Sequence, residues 1–262
     1  YKCEDIEPVT RKIAELSGNE ANTVPLKSAD DVRLYENDAT LYKNKDIYIC
    51  RHKKAQPKVF IPVMPGTNSE YDSERAFVKA GADVNSVVFR NLSTNDINDS
   101  IQAFKREIAS AQIIMLPGGF SAGDEPDGSA KYFASVLRNA YIKEEIYKLL
   151  NERDGLILGI CNGFQTLIKT GLLPYGNISA QNKDSATLAK NGIGRHIAKT
   201  AYTKVISCKS PWLAGAKPGE IYAVPASHGE GRFIASKEIL DALFANGQVA
   251  CVFTDCFGNA SD

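Results

Sequence analysis

The chain has 262 residues, and its 31 lysine and arginine residues are balanced by 31 aspartate and glutamate residues. This neutral balance gives no electrostatic reason to expect a nucleic acid or an acidic membrane surface as a partner. The longest apolar runs are far shorter than the ~20 residues of a membrane helix, and the first residues, from Tyr1 to Asp5, do not form a signal peptide. We therefore predict a soluble, cytoplasmic protein.

Residues 1–57 are more polar than the rest of the chain. We interpret them as an irregular linker with short helices and one short strand near 47–50, and not as a domain with its own core. The pattern changes sharply at Lys58, so residues 58–262 are predicted to form a separate domain.

Four apolar runs in the first part of this domain predict strands, and helical stretches separate them. One helical stretch has Ile97, Ile101, Phe104 and Ile108 on a single face. Strands that alternate with helices predict an α/β fold with a mostly parallel central sheet and helices on both faces. The four predicted strands are 59–63, 84–89, 113–116 and 156–160.

The last part of the domain predicts shorter elements. Strands are expected at 204–207, 221–224 and 232–235, a helix at 237–245 and a final strand at 249–253.

Cys161 lies where the fourth strand ends and a helix begins. The run from Leu156 to Ile160 has no polar alternation, which predicts a strand buried on both faces, and apolar residues then recur at helical spacing. A cysteine at such a turn has its sulfur at the positive end of a helix, where a thiolate is stabilised. Gly159 and Gly163 leave the turn uncrowded. The pattern is typical of a nucleophile elbow.

Three loops follow the first, third and fourth strands, and ligands of parallel sheets bind beyond the carboxyl ends of the strands. We therefore expect these loops to meet in one crevice. The backbone amide of Gly118 or Gly119, together with that of Asn162, is predicted to form an oxyanion hole for acyl transfer. A Gly-Gly pair alone favours a simple tight turn, and it is the cysteine that favours the catalytic interpretation. The glycine loop fits neither phosphate-binding motif.

A cysteine nucleophile needs a base, and the chain has three histidines. His52 lies in a basic run and His196 in a polar loop, so both are predicted to be solvated surface residues. His228 lies in a glycine-flanked loop with Glu230 two residues on, which makes it the best base by chemistry alone.

The six cysteines, at positions 3, 50, 161, 208, 251 and 256, show no disulfide or zinc-ligand spacing, so no metal site is expected. Cys208 and Cys251 lie in apolar segments and are predicted to be buried.

Four segments together resemble the triad (class I) glutamine amidotransferases, and within them the glutaminase domains of the phosphoribosylformylglycinamidine synthase family in its large single-chain form. The segments are Met64-Pro-Gly-Thr-Asn-Ser-Glu-Tyr-Asp, Pro117-Gly-Gly-Phe-Ser-Ala-Gly-Asp, Gly159-Ile-Cys-Asn-Gly-Phe-Gln and Ser227-His-Gly-Glu-Gly-Arg-Phe. The resemblance implies a flavodoxin-like sheet. It also implies that residues 1–57 resemble the linker to the ATP-dependent synthetase domains.

The resemblance further implies that Cys161 attacks the side-chain carboxamide of glutamine and forms a glutamyl thioester while ammonia leaves. Gly119 and Asn162 would supply the oxyanion donors, and Gly118 and Gln165 would help to bind glutamine. The ammonia would react with ATP-activated formylglycinamide ribonucleotide in the synthetase domains. The glutaminase domain itself would need no cofactor, and ATP and Mg²⁺ would belong to the synthetase domains.

One departure from the family is visible. The family's catalytic histidine and glutamate lie in a late His-Pro-Glu motif, which this sequence lacks, whereas His228 and Glu230 match a different family loop. The expectation is therefore a C-terminally incomplete domain that hydrolyses glutamine poorly alone. Two alternatives remain open: a cysteine hydrolase or peptidase that uses Cys161 with His228 and Glu230, and a non-catalytic docking module.

Overall fold

The computed structural model describes residues 50–121 and 130–259. The strand predicted near 47–50 lies outside these residues except for Cys50, which is in a loop. The elements of the first part are β1 (Lys58–Val63), α1 (Glu70–Lys79), β2 (Asp83–Val88), α2 (Thr94–Ser110), β3 (Ile113–Leu116), α3 (Lys131–Leu137), α4 (Ala140–Asn151), β4 (Leu156–Gly159), α5 (Asn162–Thr170) and α6 (Leu172–Tyr175).

Strands β1 to β4 form one parallel sheet in the order β2-β1-β3-β4. Each of the four strands predicted from an apolar run is present, with bounds that agree to within one residue. The predicted α/β fold with a parallel sheet is confirmed. Because all four strands run the same way, their carboxyl ends share one edge of the sheet, and the loops after β1, β3 and β4 start from that edge.

The sheet is covered on both faces, as predicted. Alternate residues of β1 point in opposite directions, so Val59 and Ile61 join one apolar cluster while Phe60 joins another. Helix α2 contributes Phe104 and Ile108 to the cluster of Phe60 and packs Ile101 against it, as the spacing predicted. The prediction was wrong for Ile97, which lies in the first turn of the helix and is exposed. The helix starts after Ser93, whose side chain accepts a hydrogen bond from the N–H of Asp96.

Replacing Phe104 by alanine is expected to lower the free energy of unfolding by about 3–5 kcal/mol. Its side chain is 0% exposed and makes edge-on ring contacts with Phe60 and Phe89, at centroid distances of 5.1 and 5.4 Å. Denaturant unfolding measures the loss, with Leu92→Ala as the control because Leu92 is 94% exposed. Equal losses for the two variants would contradict this packing.

Strand β4 departs from the prediction that it is buried on both faces, because each of its residues is only half-buried. The reason is its position at the end of the described sheet, where it pairs with β3 on one side alone. On its other side, the indole N–H of Trp212 donates to the carbonyl oxygen of Ile157 at 3.2 Å.

The C-terminal part forms two small antiparallel sheets, β5-β8 and β7-β6-β9. The prediction of a strand at 204–207 was wrong in its bounds, because the strand covers 197–205 and pairs with β7 along most of its length. Likewise, the strand predicted at 221–224 extends to His228, and β5 was not predicted. Only the helix at 237–245 matches its predicted bounds. The elements are β5 (Thr187–Lys190), β6 (Ile197–Val205), β7 (Ile221–His228), β8 (Glu230–Ile234), α7 (Lys237–Ala245) and β9 (Cys251–Thr254).

Candidate active site

Cys161 occupies a strained turn between β4 and α5. Its backbone has φ 53° and ψ −114°, a conformation that non-glycine residues rarely adopt and that clusters at functional sites. The carbonyl oxygen of Cys161 accepts the N–H of Gln165 at 3.0 Å, so the helix begins directly after the cysteine. The side chain itself is exposed. This is the geometry of a nucleophile elbow, as the sequence predicted.

Glycines at both sides of the turn let α5 approach the sheet. A Cβ atom on Gly163 would lie 2.0 Å from the carbonyl oxygen of Leu116, which is in β3. One on Gly159 would lie 2.6 Å from the carbonyl oxygen of Gly163. Their lack of side chains therefore sets the distance between the helix that carries Cys161 and the strand that carries the glycine loop.

The three loops meet in one crevice, which confirms the prediction from strand order. A Cβ atom on Gly118 would lie 3.2 Å from Cβ of Cys161 and 3.1 Å from Oγ of Ser69. The N–H of Gly118 donates to that same Ser69 hydroxyl at 2.9 Å. Gly118 thus lies between the cysteine turn and the loop after β1.

The N–H of Gly119 has a different environment from that of Gly118. Gly119 has φ 125° and faces Thr67 in an isolated antiparallel bridge. The neighbouring residues carry the hydrogen bonds of this bridge: the N–H of Asn68 donates to the carbonyl of Gly118, and that of Phe120 donates to Gly66. Because the N–H of Gly118 is engaged with Ser69, the geometry favours Gly119 over Gly118 as an oxyanion donor.

Asn162 and Gln165 connect the cysteine helix to the loop between β7 and β8. The side-chain amide of Asn162, which is 2% exposed, donates to Oε1 of Gln165 at 3.1 Å. The Nε2 of Gln165 donates to the backbone carbonyl of Glu230 at 2.9 Å. Gln165 thus links Asn162 to the backbone of Glu230.

His228 is bonded to Asn191 and forms no hydrogen bond with Cys161. Its Nδ1 is 2.9 Å from Oδ1 of Asn191, and Nδ2 of Asn191 donates to the carbonyl of His228 at 2.7 Å. Among the described residues, no histidine forms a hydrogen bond with Cys161. The structure does not join Cys161, His228 and Glu230 into a hydrogen-bonded triad, which disfavours the alternative of a cysteine hydrolase that uses them.

The other histidines lie at the surface, as predicted. His52 is exposed, and exposed His196 pairs through Nε2 with the hydroxyl of Ser227 at 2.9 Å. Within residues 50–121 and 130–259, no three histidine, cysteine, aspartate or glutamate side chains form a group suited to a metal ion. In the same residues, no helix combines the length and the apolar composition needed to cross a membrane.

Among known protein families, the CobB/CobQ-like glutamine amidotransferase domain matches residues 56–262. The chain belongs to this glutamine amidotransferase family. It is 34% identical over 209 residues to the PurQ subunit of phosphoribosylformylglycinamidine synthase from Methanococcus maripaludis, covering 80% of this chain and 71% of that protein. The PurQ subunit from Treponema denticola is 35% identical over 209 residues, with 76% and 72% covered.

A solved structure agrees with these relatives. The structure of PurLQS from Thermotoga maritima superposes with a TM-score of 0.53 at 28% identity, covering 79% of this chain and 78% of that chain. The α/β amidotransferase fold expected from the sequence motifs is therefore confirmed.

Sequence reasoning missed two residues that shape the crevice of this amidotransferase domain. Ser69 lies in a loop that the motifs include, but its bond to Gly118 has no signal in the sequence. Asn191, which fixes His228, lies in a polar loop where no pattern distinguishes it.

The remaining cysteines differ from Cys161 in their surroundings. Cys208 and Cys251 are half-buried, so the prediction of full burial was wrong, because both lie in or beside the small β7-β6-β9 sheet. Burial, with a smaller effect of Cys208, still raises the pKa of the Cys251 thiol. Cys256 is exposed like Cys161 but lies outside an elbow.

Proposed function

We propose that this chain is the glutamine-hydrolysing part of a phosphoribosylformylglycinamidine synthase. It releases ammonia from glutamine through a thioester at Cys161 and supplies it for the ATP-dependent conversion of formylglycinamide ribonucleotide to formylglycinamidine ribonucleotide. The observation that carries the proposal is the contact between the strained Cys161 turn and Gly118 of the glycine loop. PurQ relatives with 34–35% identity over 209 residues support the same reaction.

The reaction follows from this geometry. The Cys161 thiolate attacks the carboxamide carbon of glutamine, and the carbonyl oxygen becomes an oxyanion that accepts hydrogen bonds from the backbone N–H groups of Gly119 and Asn162. The carbon–nitrogen bond then breaks as the nitrogen takes up the proton that the Cys161 thiol released, and ammonia leaves. Water next attacks the thioester carbon, the carbon–sulfur bond breaks, one water proton returns to the sulfur, and glutamate is released. Gly118 contributes the open space beside the sulfur, and Gln165 binds the substrate from the first turn of α5.

The partners follow from the same proposal. Residues 58–262 form the amidotransferase unit, and residues 1–57 are the linker to the synthetase domains of a large single-chain enzyme. The family match, which starts at residue 56, supports this division. The amidotransferase unit needs glutamine and no cofactor, whereas ATP and Mg²⁺ act in the synthetase domains. The enzyme is cytoplasmic.

Incubation with 6-diazo-5-oxo-norleucine, a glutamine-derived electrophile, is expected to modify Cys161 alone. The reagent should react where glutamine binds, so exposed Cys256 should stay unmodified. The half-buried Cys251 thiol is further protected by its raised pKa. Peptide mass analysis locates the adduct. Labelling of Cys256 in preference to Cys161 would contradict the proposal. An unreactive Cys161 would favour a non-catalytic docking module.

A further inference from the structure

Ser69 directly precedes α1, but its hydroxyl does not cap that helix. Serine at this position usually accepts a hydrogen bond from a backbone N–H of the first helical turn. Here no side-chain capping bond is formed, and Oγ instead accepts the N–H of Gly118, which is 49 residues away in sequence. The hydroxyl therefore joins two loops of the crevice.

Two further hydrogen bonds hold the backbone after Gly118, one on the peptide between Gly118 and Gly119 and one on the peptide between Gly119 and Phe120. The N–H of Asn68 donates to the carbonyl of Gly118 at 3.4 Å, and the N–H of Phe120 donates to the carbonyl of Gly66 at 2.8 Å. In a planar trans peptide, the carbonyl and the next N–H point in opposite directions. A Gly118 carbonyl that faces Asn68 therefore directs the N–H of Gly119 away from the loop after β1.

The bond from Gly118 to Ser69 lies beside Cys161. The space where a Gly118 Cβ would lie is 3.1 Å from Ser69 Oγ and 3.2 Å from Cys161 Cβ, so the side chains of Ser69 and Cys161 both border it. The Gly118 N–H belongs to the peptide between Pro117 and Gly118, and the Gly119 N–H belongs to the next peptide, which is joined to the first at the Gly118 Cα atom. A rotation of the first peptide would therefore move the second and change the direction of the Gly119 N–H relative to Cys161. Of the three bonds, only this one uses a side chain, so a substitution can remove it.

We propose that Ser69 is a positioning residue for the oxyanion hole. Its hydroxyl fixes the peptide between Pro117 and Gly118, and through the Gly118 Cα atom it directs the N–H of Gly119 at the oxyanion that forms when Cys161 attacks glutamine. The proposal rests on the proposed function, since it assigns Ser69 a part in the same hydrolysis.

Ser69→Ala removes the acceptor and keeps the Cβ atom, so the packing beside Gly118 remains. Loss of a whole oxyanion donor lowers kcat by about 10²–10³-fold. Because Gly119 is kept and only its orientation is relaxed, we expect kcat for glutamine hydrolysis to fall by about 10–100-fold, with KM changed by less than about 2-fold. Ser69→Thr keeps the hydroxyl and should restore most of kcat.

The rates of alkylation by iodoacetamide and by 6-diazo-5-oxo-norleucine distinguish a misdirected Gly119 N–H from a less reactive Cys161 thiol. Iodoacetamide needs only an accessible Cys161 thiolate, whereas the ketone of 6-diazo-5-oxo-norleucine occupies the carbonyl position of glutamine. Ser69→Ala should slow the second reaction by about 10-fold and leave the first unchanged. Ser73→Ala is the matched control, because its hydroxyl donates to the Ser69 carbonyl at 2.8 Å and does not reach Gly118.

Each outcome is decisive. If the wild-type chain reacts with the glutamine analogue and Ser69→Ala reacts equally fast, the positioning role is overturned and the proposed function stands. Equal slowing of both alkylations, or a rise in KM alone, overturns it as well. If Ser69→Ala is unstable, a loss of kcat in Ser69→Thr overturns it. A wild-type Cys161 that ignores the glutamine analogue overturns the proposed function, and this inference with it.

Discussion

In the complete enzyme, replacing Cys161 by serine is expected to reduce glutamine hydrolysis by about 10⁴-fold or more. Serine fits the turn at φ 53° because it differs from cysteine by a single atom. A hydroxyl, however, must lose its proton to a base before it can attack, and no histidine among the described residues forms a hydrogen bond with this position. The initial rate of glutamate formation measures the effect.

Cys256→Ser is the control for this substitution, because Cys256 is also exposed but lies outside the elbow. It should hydrolyse glutamine at the wild-type rate. In the complete enzyme, added ammonium salt should still support amidine formation with Cys161→Ser, since only the source of ammonia is lost. A variant that retains most of its hydrolysis, or that fails with ammonium as well, would show that Cys161 is not the nucleophile.

The parallel sheet could be predicted from the sequence because its two central strands, β1 and β3, are largely buried. Five of the six residues in β1 are buried, so the strand reads as one apolar run. Helix α2 was equally clear, since Phe104 and Ile108 repeat at helical spacing and both are buried. Strong local patterns of this kind fix elements to within a residue.

The small antiparallel sheets left a weaker signal. Only two of the nine residues of β6 are buried, and β7 has none in that class. Where both faces of a strand are largely exposed, apolar periodicity is faint, and the bounds depend on cross-strand hydrogen bonds that no local window contains. The pairing of Ile197 with His228 is such a contact.

The site residues that could be predicted from the sequence are those whose positions depend on local patterns and strand order. Cys161 and Gly118 were predicted to lie close together because both follow the carboxyl ends of parallel strands. The structure confirms that they do. The sequence could not decide between Gly118 and Gly119 as the oxyanion donor. That decision depends on the hydrogen bond from the Gly118 N–H to the Ser69 hydroxyl, which joins residues 49 positions apart. His228 looked like a base because its loop is glycine-rich, and its partner Asn191, 37 residues earlier, was invisible from that loop.

Replacing Gly163 by alanine is expected to damage both the fold and the site. The new Cβ atom would lie 2.0 Å from the Leu116 carbonyl oxygen and 2.8 Å from the Leu116 Cβ atom, and neither can move without displacing β3. Helix α5 must therefore shift away from the sheet, which costs about 3 kcal/mol of unfolding free energy. Because Cys161 directly precedes this helix, its sulfur moves away from Gly118.

Gly215→Ala is the matched control, because a Cβ atom there meets nothing within 4 Å. Urea unfolding should show a lower midpoint for Gly163→Ala alone, and 6-diazo-5-oxo-norleucine should label Cys161 in the control but not in that variant. A Gly163→Ala protein with the wild-type midpoint would mean that the close approach of α5 to β3 is not a constraint on the fold. Normal labelling despite a lower midpoint would mean that the crevice tolerates a displaced helix, and that the distance between Cys161 and Gly118 does not limit the reaction.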